Sequence, residues 1–243
     1  MNLQLLKELH RHIDVSCVRA ENTMDEIRQM ILNAKQYQFI CAFSMPCFTP
    51  YLADALKSEP HIHTGGVVGF PSGADTTLSK VQQSTQLLEA GCQELDMVMA
   101  VGALKSKDYQ YVEQDIAQVV QTAQKVPVKV IIETAYLNDS ELETACKIVS
   151  EAGAAFVKSG TGWAKIPVSA DTIRKMRTAA DAHVKIKAAG GIRTLDHILE
   201  MQEAGCDRFG IGVQTAVRIM AEAEMRLGRP AVHPARNQTD SAE

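Results

Sequence analysis

The sequence predicts a single α/β domain, a (β/α)8 TIM barrel with a short N-terminal helix. Three observations support this prediction. Short apolar stretches alternate with helical patterns from about residue 12 to 226, as expected for parallel strands that are buried on both faces. The chain has 243 residues, a length that α/β barrels routinely reach as one domain. The third observation is a tripeptide that recurs within this alternation.

The predicted elements follow one another without a linker rich in proline, glycine or serine. We expect strands at 12–18, 38–43, 64–69, 94–99, 128–133, 154–158, 184–188 and 208–212. We expect helices at 77–90, 109–125, 138–152, 169–182 and 194–204. Asn138 stands three residues before Glu141, which is the spacing of a capping box, and Ser169 and Thr194 are expected N-caps.

The recurring tripeptide is Glu-Ala-Gly, at 89–91, 151–153 and 203–205. Each glycine falls where a helix C′ glycine belongs, and each copy is followed by a strand. Five residues beyond the three glycines stand Asp96, Lys158 and Gly210. The spacing fits two βα units per copy, so Asp96 and Lys158 are expected on alternate strands, at one depth, facing one cavity.

Two further expectations concern organisation. An open doubly wound sheet is the competing fold, but the first strand is not followed by a Gly-x-Gly-x-x-Gly turn. The barrel is expected to occupy residues 1–228. From residue 229 the chain becomes polar, contains proline and loses its periodicity, so 229–243 is expected to be a disordered tail.

Composition limits the classes of function. The net charge of −4 and the lack of a basic patch argue against a nucleic-acid partner. No apolar run approaches the roughly 20 residues that span a bilayer, and the amphipathic N-terminus lacks the features of a signal peptide. Six cysteines are scattered without metal-site spacing, which favours a reduced cytoplasmic protein. For Cys47 we favour a place in a pocket wall over a reactive role.

Two lysines end short apolar strands, and each runs into glycine: Lys158 in Ala-Ala-Phe-Val-Lys-Ser-Gly-Thr-Gly (154–162) and Lys187 in Val-Lys-Ile-Lys-Ala-Ala-Gly-Gly (184–191). A buried ammonium is costly unless it is paired or loses its proton, and a neutral lysine attacks carbonyl carbon. Lowering a lysine pKa from about 10.4 to around 7 requires roughly 4–5 kcal/mol, which desolvation and a second ammonium can supply. One lysine would be the nucleophile and the other its electrostatic perturber.

Alternatives to this interpretation stay open at this point. Each lysine alone could be a surface residue just past a strand end, or a member of a salt bridge. Lys185 shares the side of the strand on which Lys187 lies, so only its strand-end position favours Lys187.

Carboxylates in apolar strands are candidates for the proton transfers of imine chemistry. Asp96 in Glu-Leu-Asp-Met-Val-Met is the strongest, and a buried salt bridge to Lys187 is compatible with that role. Glu133 is a similar case, and Asp14 is a candidate for the same proton network.

Glycines after the last two strands indicate an anion site, because backbone amides backed by a helix N-terminus hold phosphate in barrels. The candidates are Gly190, Gly191, Gly210 and Gly212; tight turns would also explain them. A metal site is disfavoured, since His61 and His63 precede their strand and are expected in a solvated loop.

Five segments, taken in order, carry a family resemblance: 67–77, 94–98, 129–134, 156–162 and 187–194. Together they resemble the deoxyribose-phosphate aldolases, class I aldolases with a (β/α)8 fold. The resemblance implies that Lys158 forms the Schiff base, that Lys187 lowers its pKa and that Asp96 shuttles protons. It implies reversible cleavage of 2-deoxy-D-ribose 5-phosphate to acetaldehyde and D-glyceraldehyde 3-phosphate, with no metal or cofactor.

The chain departs from the family pattern at the far end of the substrate. The family usually has Thr-Ser-Thr-Gly after the reactive lysine, and this chain has Ser-Gly-Thr-Gly (159–162), so Thr161 is a candidate substrate-binding residue. The first-strand motif Asp-His-Thr is Asp14-Val15-Ser16 here, which makes Asp14 and Ser16 further candidates. Trp163 replaces a lysine of some members.

After the eighth strand, where the family has serines that help to hold phosphate, this chain has Gly212 and Val213. With Trp163, Val213 indicates a reshaped or less anionic substrate end. The first alternative function is therefore a related Schiff-base aldolase for a different aldehyde or deoxysugar, whether phosphorylated or not. The second is a non-catalytic barrel that binds sugar phosphates. The expected partner is a small-molecule aldehyde or sugar phosphate, and a homodimer is the candidate assembly.

Overall fold

Eight parallel strands close into a barrel in the computed structural model, which describes residues 3–232, 234 and 235. The strands are β1 Ile13–Cys17, β2 Cys41–Ser44, β3 His63–Val68, β4 Glu94–Val98, β5 Val128–Ile131, β6 Phe156–Lys158, β7 Lys185–Ala189 and β8 Arg208–Gly212. Neighbours in sequence are neighbours in space, and β8 pairs with β1. The predicted barrel is confirmed, and the open sheet is excluded.

Ten α-helices lie among the described residues. They are α1 Leu3–Glu8, α2 Met24–Tyr37, α3 Thr49–Leu56, α4 Thr77–Glu89, α5 Val101–Lys105, α6 Tyr109–Ala123, α7 Asp139–Glu151, α8 Ala170–Ala179, α9 Leu195–Glu203 and α10 Val213–Arg226. Two 3-10 turns, Leu9–His12 and Thr134–Tyr136, accompany them. In the described part of the chain no helix is long and apolar enough to cross a membrane.

The predicted helix ends are present. Asn138 and Glu141 form a reciprocal capping box, and the hydroxyls of Ser169 and Thr194 accept hydrogen bonds from the third residue of their helices. The glycines of the three Glu-Ala-Gly copies have φ values of 98°, 80° and 98°. Each helix therefore ends in the left-handed conformation that glycine adopts at low cost, and the chain then enters β4, β6 or β8.

The barrel has an apolar outer face and a polar interior. Strand residues that point outward, such as Val15, Met97 and Ile186, belong to the main hydrophobic core between strands and helices. In the interior, Cys41, Phe43 and Val67 form a small apolar cluster. Because side chains alternate along a strand, the charged residues between the apolar ones point to the barrel axis.

The described end of the chain packs on α2. The carbonyl of Val232 accepts a hydrogen bond from the Tyr37 hydroxyl at 2.9 Å, and the amide of Ala235 donates to Asn33 Oδ1 at 3.2 Å. Residues 1, 2, 233 and 236–243 lie outside the described residues. The division at residue 228 and the disordered tail stay predictions.

Candidate active site

Asp96, Lys158 and Lys187 meet in the interior of the barrel. A single carboxylate oxygen, Asp96 Oδ2, accepts hydrogen bonds from Lys158 Nζ at 2.7 Å and from Lys187 Nζ at 2.6 Å. Asp96 and Lys187 are 1% exposed, and Lys158 is 7% exposed. The structure therefore brings together the three residues that the sequence marked as candidates for catalysis.

Strand register explains this meeting. Lys158 and Lys187 are register partners on neighbouring β6 and β7, so both side chains leave the sheet on the same face. Asp96 reaches them from β4. The Ser159 hydroxyl ties the two strand ends together, because it donates to the Ala189 carbonyl at 3.0 Å and accepts from the Ala189 amide at 2.9 Å.

A third lysine and an arginine extend the cluster toward the start of the strands. Lys129 Nζ contacts Glu94 Oε2 and lies 3.3 Å from Asp96 Oδ1. Arg208 bridges Asp14 and Glu94, at 2.6 Å and 2.9 Å. Asp14 Oδ2 in turn lies 2.6 Å from Lys187 Nζ. Sequence analysis missed Lys129 and Arg208, although a lysine inside the apolar Val128–Ile131 strand was a signal of the same kind as Lys158.

This cluster is balanced in charge only when one amine is neutral. Its carboxylates are Asp14, Glu94 and Asp96, while its basic groups are Lys129, Lys158, Lys187 and Arg208, and all seven are buried. Three negative charges face four potential positive ones. A net charge in a desolvated interior is costly, so the cluster favours the loss of one proton.

The pKa values identify Lys158 as the amine that loses it. Burial lowers the pKa of Lys158, Asp96 raises it and the Lys187 ammonium lowers it, with a result of about 8. Burial alone would also lower the pKa of Lys129, but Asp96, Asp14 and Glu94 raise it above its ordinary value. Burial would lower the pKa of Arg208 too, but Asp14 and Glu94 raise it above its ordinary value. Burial would raise the pKa of Asp96, yet Lys158 and Lys187 hold it well below its usual range.

An aromatic ring supports two of the charged amines. Lys187 Nζ lies 4.3 Å and Lys129 Nζ 4.9 Å from the centroid of Phe43. The negative face of the ring stabilises ammonium ions in a dry site. Gly65 makes room for this ring, because a Cβ atom there would collide with it.

Four members of the cluster, Asp14, Asp96, Lys158 and Lys187, line a cavity of about 1260 Å³ at the carboxyl ends of the strands. Every predicted site residue lines it: Asp14, Ser16, Asp96, Lys158, Thr161, Lys187, Gly190, Gly191, Gly210 and Gly212. This is the face at which (β/α)8 barrels hold their substrates. A small organic molecule can enter the cavity and reach Lys158 from solvent.

One end of the cavity suits an anion. Gly190 and Gly191 form the turn after β7, and Gly212 is the N-cap of α10. No side chain caps α10, and its first residues Gly212, Val213 and Gln214 line the cavity. Free amides at a helix N-terminus attract negative charge.

Glu133 and Trp163 lie behind the cavity wall. Glu133 Oε2 accepts hydrogen bonds from the Thr161 amide at 3.1 Å and from its hydroxyl at 2.5 Å. Glu133 is therefore a support for the loop after Lys158 and lies apart from the proton network. Trp163 donates through Nε1 to the Val18 carbonyl at 2.9 Å and packs edge-on against Phe70.

The expectations for His63 and Cys47 are corrected, and the expected side of Lys185 is confirmed. His63 begins β3, and its Nδ1 lies 2.7 Å from Glu94 Oε1, so it belongs to the base of the charged cluster and not to a solvated loop. Lys185 does lean toward the barrel axis, 5.7 Å from the Phe156 ring, but at the opposite, exposed end. Cys47 is exposed and is not a lining residue of the cavity.

The donor atoms do not favour a metal ion. Among the described residues, Asp14, Cys41 and Glu94 form the one group of three potential ligands. Lys129 and Arg208 already neutralise the two carboxylates. Burial raises the pKa of the Cys41 thiol well above its ordinary value, so it stays protonated.

Comparison with known proteins identifies the family. A family model described as DeoC/LacD family aldolase matches residues 18–215. The chain belongs to this family of aldolases. It is 43% identical over 216 residues to a deoxyribose-phosphate aldolase of Sinorhizobium medicae, covering 89% of this chain and 87% of the relative. An aldolase is a lyase.

Solved structures of similar proteins share the architecture. A putative deoxyribose-phosphate aldolase from Coccidioides immitis superimposes with a TM-score of 0.86 at 30% identity, over 90% of this chain and 87% of that one. A deoxyribose phosphate aldolase from Aeropyrum pernix, described as having a unique tetrameric structure, gives 0.82 at 27% identity, over 91% and 93%.

Proposed function

We propose that this aldolase cleaves 2-deoxy-D-ribose 5-phosphate reversibly to acetaldehyde and D-glyceraldehyde 3-phosphate, through an imine on Lys158. The observation that carries the proposal is the Asp96 oxygen shared by Lys158 and Lys187. The names of the relatives support the substrate. In this proposal Lys158 is the nucleophile, Lys187 the proton donor and Asp96 the group that connects them.

Imine formation begins with the neutral amine of Lys158. Its nitrogen attacks C1 of the open-chain sugar, and the resulting carbinolamine loses its hydroxyl as water with a proton from Lys187. The iminium is positive and Lys187 is then neutral, so the cluster still holds three positive and three negative charges. The hydrogen bonds of Asp96 to both nitrogens give the proton a short path.

Cleavage exchanges the same two charges. The C3 hydroxyl gives its proton to Lys187 while the C2–C3 bond breaks. The electron pair of that bond converts the iminium to a neutral enamine. Glyceraldehyde 3-phosphate leaves. Lys187 then protonates C2, which restores the iminium, and water releases acetaldehyde from Lys158. At every stage the buried charges balance, so the low-dielectric site never holds an excess ion.

The remaining lining residues bind the rest of the substrate in this proposal. Gly190, Gly191, Gly210, Gly212 and the start of α10 would hold the phosphate through backbone amides. Thr161, Asp14 and Ser16 also line the cavity and would hold the sugar hydroxyls.

Reductive trapping tests the imine. Acetaldehyde and borohydride should add one ethyl group, and peptide mapping should place it on Lys158. Lys185→Met is the matched control, because Lys185 lies at the exposed opposite end and should leave the adduct unchanged. No adduct, or an adduct on another lysine, would contradict the assignment and favour a barrel that only binds sugar phosphates.

A substrate comparison tests the alternative aldolase. The proposal expects higher kcat/KM for 2-deoxyribose 5-phosphate than for 2-deoxyribose. Equal or reversed preference would favour an aldolase for an unphosphorylated aldehyde, the alternative suggested by Val213 at the phosphate end.

Assembly and compartment remain proposals. We infer a homodimer as the smallest assembly; a tetrameric relative supports self-association in general, and light scattering on purified protein measures the state directly. The cytoplasm is the proposed compartment, and the six free cysteines support a reducing environment.

A further inference from the structure

Two loops contact each other beside the anion end of the cavity, and we call this contact the clasp. One follows β1 and carries Val18 and Arg19, and the other follows β6 and carries Gly162 and Trp163. Arg19 Nη2 donates to the Gly162 carbonyl at 2.6 Å, and the Arg19 guanidinium carbon lies 5.5 Å from the centroid of the Trp163 ring. Trp163 returns a hydrogen bond to the Val18 carbonyl. The guanidinium is therefore held by a carbonyl and an aromatic face.

The ring under Arg19 is itself fixed. The Trp163 amide donates to Thr161 Oγ1 at 3.0 Å, and that hydroxyl donates to the buried Glu133 carboxylate. Phe70 contacts the ring edge-on at 6.1 Å between centroids. A side chain held in this way loses less conformational entropy when a ligand binds.

The clasp adjoins the glycine turn of the anion end. A Cβ atom placed on Gly190 would come within 3.6 Å of the Gly162 Cα atom, so the loop after β6 contacts the glycine turn after β7 there. Arg19, Gly162, Gly190, Gly191 and Gly212 all line the one cavity.

The Arg19 guanidinium has more N–H donors than the one that Gly162 accepts. It has five N–H groups, and Gly162 accepts from Nη2 only. No ion pair joins Arg19 to a carboxylate of the described residues; the nearby acidic side chain Asp25 is bonded to Arg28. A fixed guanidinium without a carboxylate partner, beside free backbone amides, suits a phosphate.

We propose that Arg19 determines specificity for the phosphorylated end of the substrate. The inference rests on the proposed function and extends it: the cation absent at position 163, where tryptophan stands, is supplied by Arg19 lying over that tryptophan. Arg19, Arg193 and Arg218 all line the cavity, and all three are exposed. Arg218 bonds within its own helix, to Thr215. Among the described residues, only Arg19 of the three is held both by a hydrogen bond to another loop and by an aromatic face. The clasp makes Arg19 the preorganised cation of the three.

Kinetics on two substrates test this inference. Arg19→Ala should lower kcat/KM for 2-deoxyribose 5-phosphate by about tenfold or more, mainly through KM, because a charge-assisted hydrogen bond is lost. For 2-deoxyribose it should change kcat/KM by less than about twofold. Arg19→Lys should recover part of the preference. Arg174→Ala, at an exposed position of α8 that does not line the cavity, is the control.

Three results would overturn the inference. The first is an equal loss of kcat/KM on both substrates in Arg19→Ala, which would make Arg19 a support for the loops. The second is an unchanged preference for the phosphorylated substrate in Arg19→Ala. The third is a selective loss of kcat/KM for the phosphorylated substrate in Arg193→Ala or Arg218→Ala but not in Arg19→Ala.

A second readout separates this inference from the proposed function. Inorganic phosphate should raise the Tm of the wild type more than that of Arg19→Ala. If acetaldehyde traps Lys158 but the phosphorylated sugar is not cleaved, the proposed substrate is wrong, and the phosphate-dependent Tm still tests Arg19. An equal Tm shift in both proteins would contradict the role of Arg19 alone.

Discussion

Lys187 and Lys158 donate to the same oxygen of one buried carboxylate, and they do so as register partners on neighbouring strands. Each ammonium raises the free energy of the other, while Asp96 lowers the free energy of both. Lys187 also contacts Asp14 and the face of Phe43, contacts that stabilise its charge. The asymmetry between the two amines explains why Lys158 is the one that reacts.

Removing the charge of Lys187 should raise the pKa of Lys158. In Lys187→Met the perturbing ammonium is gone, while Asp96 still accepts the hydrogen bond of Lys158. Burial, the largest cause of the lowered pKa of about 8, stays in the variant, so the pKa rises without returning to its ordinary value. Each unit of increase lowers the neutral fraction at pH 7 by roughly tenfold. The pH profile of kcat/KM should therefore move to higher pH. If kcat/KM falls but its pH profile does not shift, the electrostatic role is contradicted, and Lys187 acts as a proton donor only.

The stability of the protein should depend on Lys158 with a defined sign. Burial depresses the pKa of this lysine from 10.5 to about 8, so between these values the unfolded state binds more protons, and stability rises with pH. Lys158→Met removes the buried cation and should stabilise the protein at pH 7 by roughly 3 kcal/mol. Urea unfolding should show this advantage shrinking as the pH rises toward 10.5. An advantage independent of pH would indicate better packing instead.

The charge balance of the cluster predicts a non-additive double variant. Asp96→Asn leaves an excess of buried positive charge and should destabilise the protein by about 3–5 kcal/mol. Adding Lys187→Met to it removes one positive charge and should recover part of that loss, without recovery of activity. Urea midpoints of the single and double variants measure the coupling. Strictly additive losses would argue that the groups act independently.

The loop after Lys158 depends on the absence of a Cβ atom at Gly160. A Cβ atom at Gly160 would lie 2.7 Å from Glu133 Oε1, so Gly160→Ala must displace either the loop or the carboxylate that holds Thr161. We expect a destabilisation of about 1–3 kcal/mol and reduced kcat. Gly102→Ala is the control, since a Cβ atom there meets no atom within 4 Å and glycine is replaced in a helix. Equal effects of the two substitutions would contradict the role of Glu133.

The fold was predictable because local signals agreed with each other. The Glu-Ala-Gly repeat marked where three helices end, and strand alternation then placed Asp96, Lys158 and Lys187 on inward faces. Lys129 and Arg208 were missed because neither stands at a strand end that runs into glycine. Their importance comes from closure of the barrel, which brings β5 and β8 to the carboxylates of β1 and β4.

The far end of the substrate was harder to predict for a related reason. Trp163 and Arg19 are separated by more than half of the chain, and neither belongs to a periodic element. Only the contact of two loops shows that the residue replacing a lysine serves as a platform for an arginine. Sequence patterns report local periodicity, and they carry little information about which loops touch.

The pH dependence of acetaldehyde trapping tests the central claim most directly. Trapping by cyanoborohydride should modify Lys158 alone among the lysines of the cluster, and its rate should rise with pH to half of its maximum near pH 8. A midpoint near 10.5, or an adduct on Lys187 or Lys129, would contradict the claim that the buried cluster makes Lys158 its neutral amine.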